Sequence, residues 1–382
     1  MKTLHVRVTL ACPGGFAQDE CGGSCYSLDH GSRRVLAGCG LSSQGENMKR
    51  IGTALSGVGV VALVAGLVMQ FAIVPGLLQY PDDVDQTRQF EGVLGRMLNA
   101  EALAAGDAAN IFLTDVPVTI DRTVKVLEVD GEKALVEDTS VMNSPAGPVL
   151  ATENVYTIDR KTMEHIPNFT DDERVIDREG LVVGFPIGTD AEDYVGWNGD
   201  TQTTNTIAYD RTETHEGMET RIFQATSGPD PITSPEMLAN FPPALPKATI
   251  EALVPALGLP AEAAGQLAEL LPALPDPVPL AYTYAYTSNY WVDPDTGVLI
   301  DFDKVESRAV SIDLGEQQIP VAEVMQLEYQ LTDASIQDAV ADAEDAQGTI
   351  RLLGTIIPLA LIIGGILAAI IGFVVMRRES AS

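Results

Sequence analysis

The chain has 382 residues, with 54 acidic against 23 basic side chains and a net charge of −31. That excess repels phosphate backbones and anionic surfaces, so nucleic acid is excluded as a partner, and it suits a saline or cation-rich exterior. The 4 cysteines (Cys12, Cys21, Cys25 and Cys39) all precede residue 50, so the rest of the chain folds without disulfides.

Residues 1–47 have no hydrophobic period, and the Cys21-x3-Cys25 spacing matches no common zinc pattern. Met48-Lys49-Arg50 stands directly before an apolar run, as membrane proteins of this layout begin. Residues 1–47 are therefore expected to be a poorly ordered cytoplasmic extension or a misassigned start. Residues 51–74 are apolar but for Gln70 and a few Ser/Thr, and residues 352–376 carry no charge. Each run exceeds the ~20 residues that cross a ~30 Å hydrocarbon core. Neither has the polar face of a soluble core helix. The pattern predicts transmembrane helices over 48–74 and 351–376. The first is too long for a signal peptide and lacks an A-x-A site, so it reads as an anchor.

Lys49 and Arg50 precede the first span, and Arg377 and Arg378 follow the second. The inner flanks are acidic: Asp82, Asp83 and Asp85, then Asp342, Glu344 and Asp345. Basic flanks stay cytoplasmic, so the expected topology is a two-span plasma-membrane protein with both termini inside and residues 75–350 outside. Small residues recur at four-residue spacing, as Gly364, Ala368 and Gly372 in one span and Ala62 and Gly66 in the other. Such faces let helices approach closely, within one chain or by self-association. Neither span holds an ionisable residue, which argues against an ion path through the helices.

In the outer segment, residues 90–109 have helical spacing (Phe90, Val93, Leu94, Met97, Leu98). Short strands rich in Val, Ile and Thr are expected at 116–120, 122–129, 133–141 and 149–159, with Asp130-Gly131 as a two-residue hairpin turn. Residues 181–188 are apolar and punctuated by glycine; 201–209 and 220–226 again read as strands around a turn at 213–217. Residues 229–279 are rich in Pro, Ala and Leu, and short amphipathic stretches at 247–257 and 261–271 are bounded by proline. These predict a small helical lobe inserted between strand blocks. Strands resume at 280–292, where period-two spacing puts Tyr282, Tyr284 and Tyr286 on one face, and at 298–302, 306–314 and 321–331. Residues 334–347 read as an acidic helix running into the second span. The fold class expected is α+β: a β-rich extracytoplasmic domain with a small helical lobe, flanked by two transmembrane helices.

The motifs of enzymes are missing. There is no G-x-S-x-G, no H-E-x-x-H and no phosphate-binding glycine loop, and His165 and His215 stand outside any recognisable motif. No cofactor is implied. The run D-P-D-T-G-V-L-I-D offers Asp293, Asp295 and Asp301 as oxygen ligands for Ca2+, though without the full EF-hand pattern. A plain hairpin turn explains the same residues. In the lobe, Phe241, Leu253, Leu257 and Leu271 are the candidates to line an apolar ligand site.

Three blocks, YTIDRKTMEHIPN (156–168), GLVVGFPIGTDAEDYVGWNGDTQTT (180–204) and WVDPDTGVLIDF (291–302), set between two terminal spans, resemble the actinobacterial porin PorA family. The resemblance covers about residues 48–378 and implies an integral protein of an actinobacterial-type cell envelope; it supplies no catalytic residues. The layout is also similar to that of class B scavenger receptors, whose outer domains carry lipid through a hydrophobic tunnel. The sequence thus points to a non-enzymatic envelope protein with membrane lipids as partners, one that binds or transfers apolar ligands or forms a porin-like conduit. A receptor or scaffold with an acidic cation-binding surface, or an envelope hydrolase, is the alternative. With short strands and an acidic outer segment, spanning is expected of the helices and not of a barrel.

Overall fold

The computed structural model describes residues 42–313 and 318–380. The four cysteines and most of the amino-terminal extension lie outside the described residues.

The apolar run at the beginning forms α1 (Ser42–Val68), which passes through a π-helical turn at Met69–Ile73 into α2 (Val74–Leu77). The chain then enters β1 (Asp85–Leu98), α3 (Ala100–Ala105), β2 (Phe112–Asp130), β3 (Lys133–Ser144) and β4 (Gly147–Asp159). After a long connection come β5 (Tyr194–Asn198), β6 (Thr203–His215) and β7 (Met218–Pro231). The lobe follows as α4 (Pro235–Leu238), β8 (Ala244–Leu245), α5 (Lys247–Leu253) and α6 (Ala261–Leu270). The chain finishes with β9 (Val278–Val292), β10 (Leu299–Asp313), β11 (Gln318–Leu331), α7 (Asp333–Arg351) and α8 (Ile357–Ser380).

Two sequence expectations are overturned here. Residues 90–98 are strand and not helix. Phe90 and Leu94 satisfy both a helical and a period-two pattern, and pairing with β2 and β11 on both sides decides for the strand. The strands are also long. Residues 116–120 and 122–129 belong to one strand of 19 residues, with Asp121 accepting a hydrogen bond from Gln89 on the sheet surface (2.8 Å) and not breaking the chain. By contrast the Asp130-Gly131 turn, the two-helix lobe and the acidic helix stand where the sequence puts them; Gly131 takes φ +62°, open to glycine at no steric cost.

All pairings between the named strands are antiparallel, in the order β4-β3-β2-β1-β11-β10-β9-β7-β6-β5, with β8 added beside β9. The two edges of this curled sheet meet through the connection after β4. Ile158 of β4 bridges His165, Glu164 bridges Leu181, and Leu181 bridges Gly196 of β5. Leu181 donates to Val195 O (2.8 Å) and accepts from Trp197 N (3.0 Å). These isolated bridges link the two edges of the curled sheet through the end of β4 and through β5, closing it there into a barrel.

Inward positions repeat every second residue. Tyr282, Tyr284 and Tyr286 face the interior together, 4%, 3% and 9% exposed. The interior is filled in layers. At the end nearer the long helices, Phe185 from the closing segment stacks on Phe223 (4.9 Å) and meets Tyr194 and Tyr290 edge-on. The middle is ionic. Arg308 Nη2 and Nη1 meet Asp200 Oδ2 (2.7 Å) and Glu306 Oε1 (3.0 Å), Lys304 Nζ meets Glu306 Oε2 (3.0 Å), and Tyr284 donates its hydroxyl to the same oxygen (2.6 Å). Burial alone would raise the Glu306 carboxyl, but Lys304 and Arg308 hold it far below the ordinary carboxylate range. A buried charge survives only when it is paired and hydrogen-bonded in this way.

The two apolar helices are long enough to cross a membrane, Met48–Gly76 at one end and the continuous rod Asp333–Arg378 at the other. They pack antiparallel on a glycine seam of heptad spacing, Gly52, Gly59 and Gly66 against Gly372, Gly365 and Ile362. The Ser56 hydroxyl donates to Ala369 O across it (3.4 Å). Of the small residues picked out in the sequence, Gly66 and Gly372 lie in this seam, whereas Gly364 looks into open space and its neighbour Gly365 makes the contact. The rod is tied to the barrel through Ser335, whose hydroxyl accepts from Gln89 N (2.8 Å), and through Gln347, which donates to Asp293 Oδ1 (2.8 Å).

Candidate functional site

The far end of the barrel, opposite the long helices, is covered by the lobe. Proline sets its helix starts: Ser234 accepts from Met237 N to cap α4, while Pro246 and Pro260 precede α5 and α6. Each short helix turns one apolar edge inward, so that Ile250, Leu253, Leu267 and Leu271 are buried. Beneath them lies a cavity of about 50 Å³. Leu253 and Leu257 line it from the lobe, Tyr282, Val310 and Ile312 from the barrel, and Leu98, Ile111 and Phe112 from the end of β1, the connection after it and the start of β2. Apolar voids of this kind stay dry. At ~24 cal/mol per Å³ of void, leaving it empty costs on the order of 1 kcal/mol, which an apolar ligand would recover.

Of the four lobe residues singled out by sequence, Leu253 and Leu257 line the cavity. Phe241 stands behind Tyr282, stacked at 4.7 Å, and Tyr282 donates its hydroxyl to Pro242 O (2.7 Å). Leu271 is 1% exposed and belongs to the core that anchors the lobe. Sequence reading missed the wall made by Leu98, Ile111 and Phe112, because it took residues 90–109 as one helix. The Asn99 cap, which accepts from Ala102 N (3.2 Å), marked the strand-to-helix change. At the rim, the Arg96 guanidinium lies 3.6 Å over the Phe112 ring and donates to Leu257 O (3.3 Å).

The proposed Ca2+ ligands are not brought together. Asp293 Oδ2 accepts from Thr296 N (3.1 Å) and Oγ1 (2.5 Å), and Oδ1 accepts from Gln347. Asp301 instead pairs with His215 Nε2 (2.9 Å) and accepts from Phe302 N (2.7 Å). Among the described residues no group of three acidic, His or Cys side chains is placed to hold a metal ion. The D-P-D-T-G run forms the turn between β9 and β10. The two histidines are also apart. His215 stacks on Trp291 (5.2 Å), whereas His165 sits in the closing segment with both ring nitrogens buried and unbonded. Burial, reinforced by Arg178, lowers the His165 pKa.

The porin PorA family profile matches residues 51–374, from the first apolar helix to the last. The chain belongs to the porin PorA family. No curated protein matches it. Among solved structures, a putative MaoC domain protein dehydratase from Chloroflexus aurantiacus is 13% identical, with 75% of this chain and 90% of that one covered and a TM-score of 0.12. An acyl-CoA thioesterase II, TesB2, from Mycobacterium marinum is 11% identical, with 65% and 81% covered and a TM-score of 0.12. Likeness at that level carries no argument about fold or chemistry.

Proposed function

We propose that this porin PorA family member is a non-enzymatic envelope protein, held in the plasma membrane by 48–74 and 351–376, whose extracytoplasmic barrel takes up an apolar chain beneath the helical lobe. The all-apolar lining of the cavity at the lobe-covered mouth carries this reading. Membrane lipids are the natural source of such a chain, and a domain tethered at both ends stays close to them. Lys49, Arg50, Arg377 and Arg378 keep both termini in the cytoplasm. Accessibility labelling of single cysteines at either end of the full chain in sealed vesicles tests the topology; labelling from outside contradicts it.

Binding is tested with hexadecanol, an uncharged single-chain probe, on the full chain. Leu253→Trp and Val324→Trp fill the cavity from opposite walls and are expected to abolish binding while the protein stays folded. Binding unchanged in both variants overturns the proposal.

The conduit reading draws on family membership and on the closed barrel. Against it, the lumen is occupied by the Phe185 stack, the ionic layer and the lobe. The outward row of β2, including Asp115, Thr119 and Lys125, is unsuited to lipid. Passage would therefore need several chains assembled, and conductance of the full-length protein in planar bilayers decides between the readings.

A further inference from the structure

Behind the cavity wall, against Phe112 and Leu257, stands one cation whose hydrogen-bonding capacity is not used up among the described residues. Arg96 projects from β1 against Phe112 and Leu257, two residues of the cavity lining. Its Nε is buried and has no hydrogen-bond partner among the described residues, and no carboxylate there lies within ion-pair distance. Other buried cations of this barrel are satisfied: Arg308 has Asp200 and Glu306, Arg122 has Asp138, and Arg160 has the carbonyls of Tyr80 and Gly131. Arg96, half-buried and with the Glu323 carboxylate as its acidic neighbour beyond ion-pair distance, keeps an unpaired Nε in a chain of net charge −31. Five N–H donors in a planar fork match a carboxylate or phosphate, and a buried donor left unpaired costs free energy that an anion would relieve.

We infer that the ligand of the lobe-covered cavity is a single acyl chain bearing an anionic headgroup, with the chain against Leu253, Leu257 and Tyr282 and the headgroup on Arg96. This rests on the apolar-chain reading above and adds the headgroup. The lobe is the part that yields to admit the chain, since a void of about 50 Å³ holds no more than the chain's end while closed. The net-negative outer domain disfavours an anion over most of its surface, which sharpens the preference for Arg96.

The test uses the full chain in nanodiscs of zwitterionic lipid, loaded with equal amounts of palmitate and hexadecanol and read by native mass spectrometry after release. The wild type is expected to retain the acid over the alcohol by about tenfold, the size of one hydrogen bond to a charged group. Arg96→Gln should bring that ratio to about one, and Arg96→Lys should keep part of the preference. Retained alcohol doubles as the check that the variant is folded. Equal retention of acid and alcohol by the wild type, or an Arg96→Gln ratio equal to wild type, overturns the headgroup assignment and leaves the apolar-chain reading standing. Retention of neither overturns both. Lysophosphatidic acid in a parallel run separates the two sources of anion: preference for it over palmitate assigns a phosphate headgroup, and the reverse a carboxylate.

Discussion

Adding one methyl group to the seam between α1 and α8 should have opposite effects at glycines two residues apart. A Cβ on Gly59 would stand 2.4 Å from Ala369 N and 2.6 Å from Gly365 O, and one on Gly365 would stand 2.6 Å from Gly59 O and Leu63 N. Relaxed contacts of carbon need ~3.5–4.0 Å, so the helices must part by about 1 Å at the tightest point. Overpacking of this sort costs ~1–3 kcal/mol, offset by the ~1 kcal/mol that alanine gains over glycine in a helix. Gly59→Ala and Gly365→Ala should therefore weaken the pair by up to ~2 kcal/mol. Gly57 and Gly364 meet nothing within 4 Å, and alanine there keeps only the gain. Valine at the same four positions enlarges the contrast. Spin labels at Val58 and Leu367, both exposed, report the interhelical distance in a chain whose four native cysteines have been replaced. The distance should lengthen and broaden for Gly59→Val and Gly365→Val alone. An equal response at Gly57 and Gly59 would refute the seam.

Glu306→Gln strips Arg308 and Lys304 of their shared partner in the ionic layer, and should cost about 3–5 kcal/mol in thermal or chemical unfolding. Because the Glu306 carboxyl is held below its ordinary value, its contribution is present above the unfolded pKa near 4.5 and is lost as pH falls; wild type should lose more stability on acidification than Glu306→Gln. Phe185→Ala empties the stack against Phe223 and should destabilise by about 3–5 kcal/mol, read by the same unfolding curves. Gly297→Ala places a Cβ 2.5 Å from Pro186 O at φ +73° and should loosen the turn beside the closing segment, visible as faster amide exchange over residues 183–187.

What the sequence made legible is what local chemistry determines. Apolar length betrayed the two long helices, Asp-Gly the hairpin, and proline spacing the lobe. Period-two tyrosines named the inner face of β9 before any partner strand was known. The closed barrel was not legible, because it depends on residues 158, 165, 181 and 196 meeting across the chain, and isolated bridges leave no periodic trace. The setting of Arg96 was hidden for a related reason: it packs on Phe112 and donates to Leu257 O, both distant in sequence. The acidic turn misled in the opposite direction. Asp293 and Asp301 sit in one short run of sequence, yet Asp293 accepts from Thr296 and Gln347 while Asp301 pairs with His215.

An apolar chain inside the barrel is the property on which its proposed role depends. Native mass spectrometry of the full-length protein, taken gently from its own membrane and released from nanodiscs, measures this directly. A discrete mass of one acyl-bearing molecule per chain, absent after organic extraction and absent from Leu253→Trp, is the predicted result. A clean protein mass in wild type and variant alike, with no adduct at any loading of palmitate or hexadecanol, would contradict it.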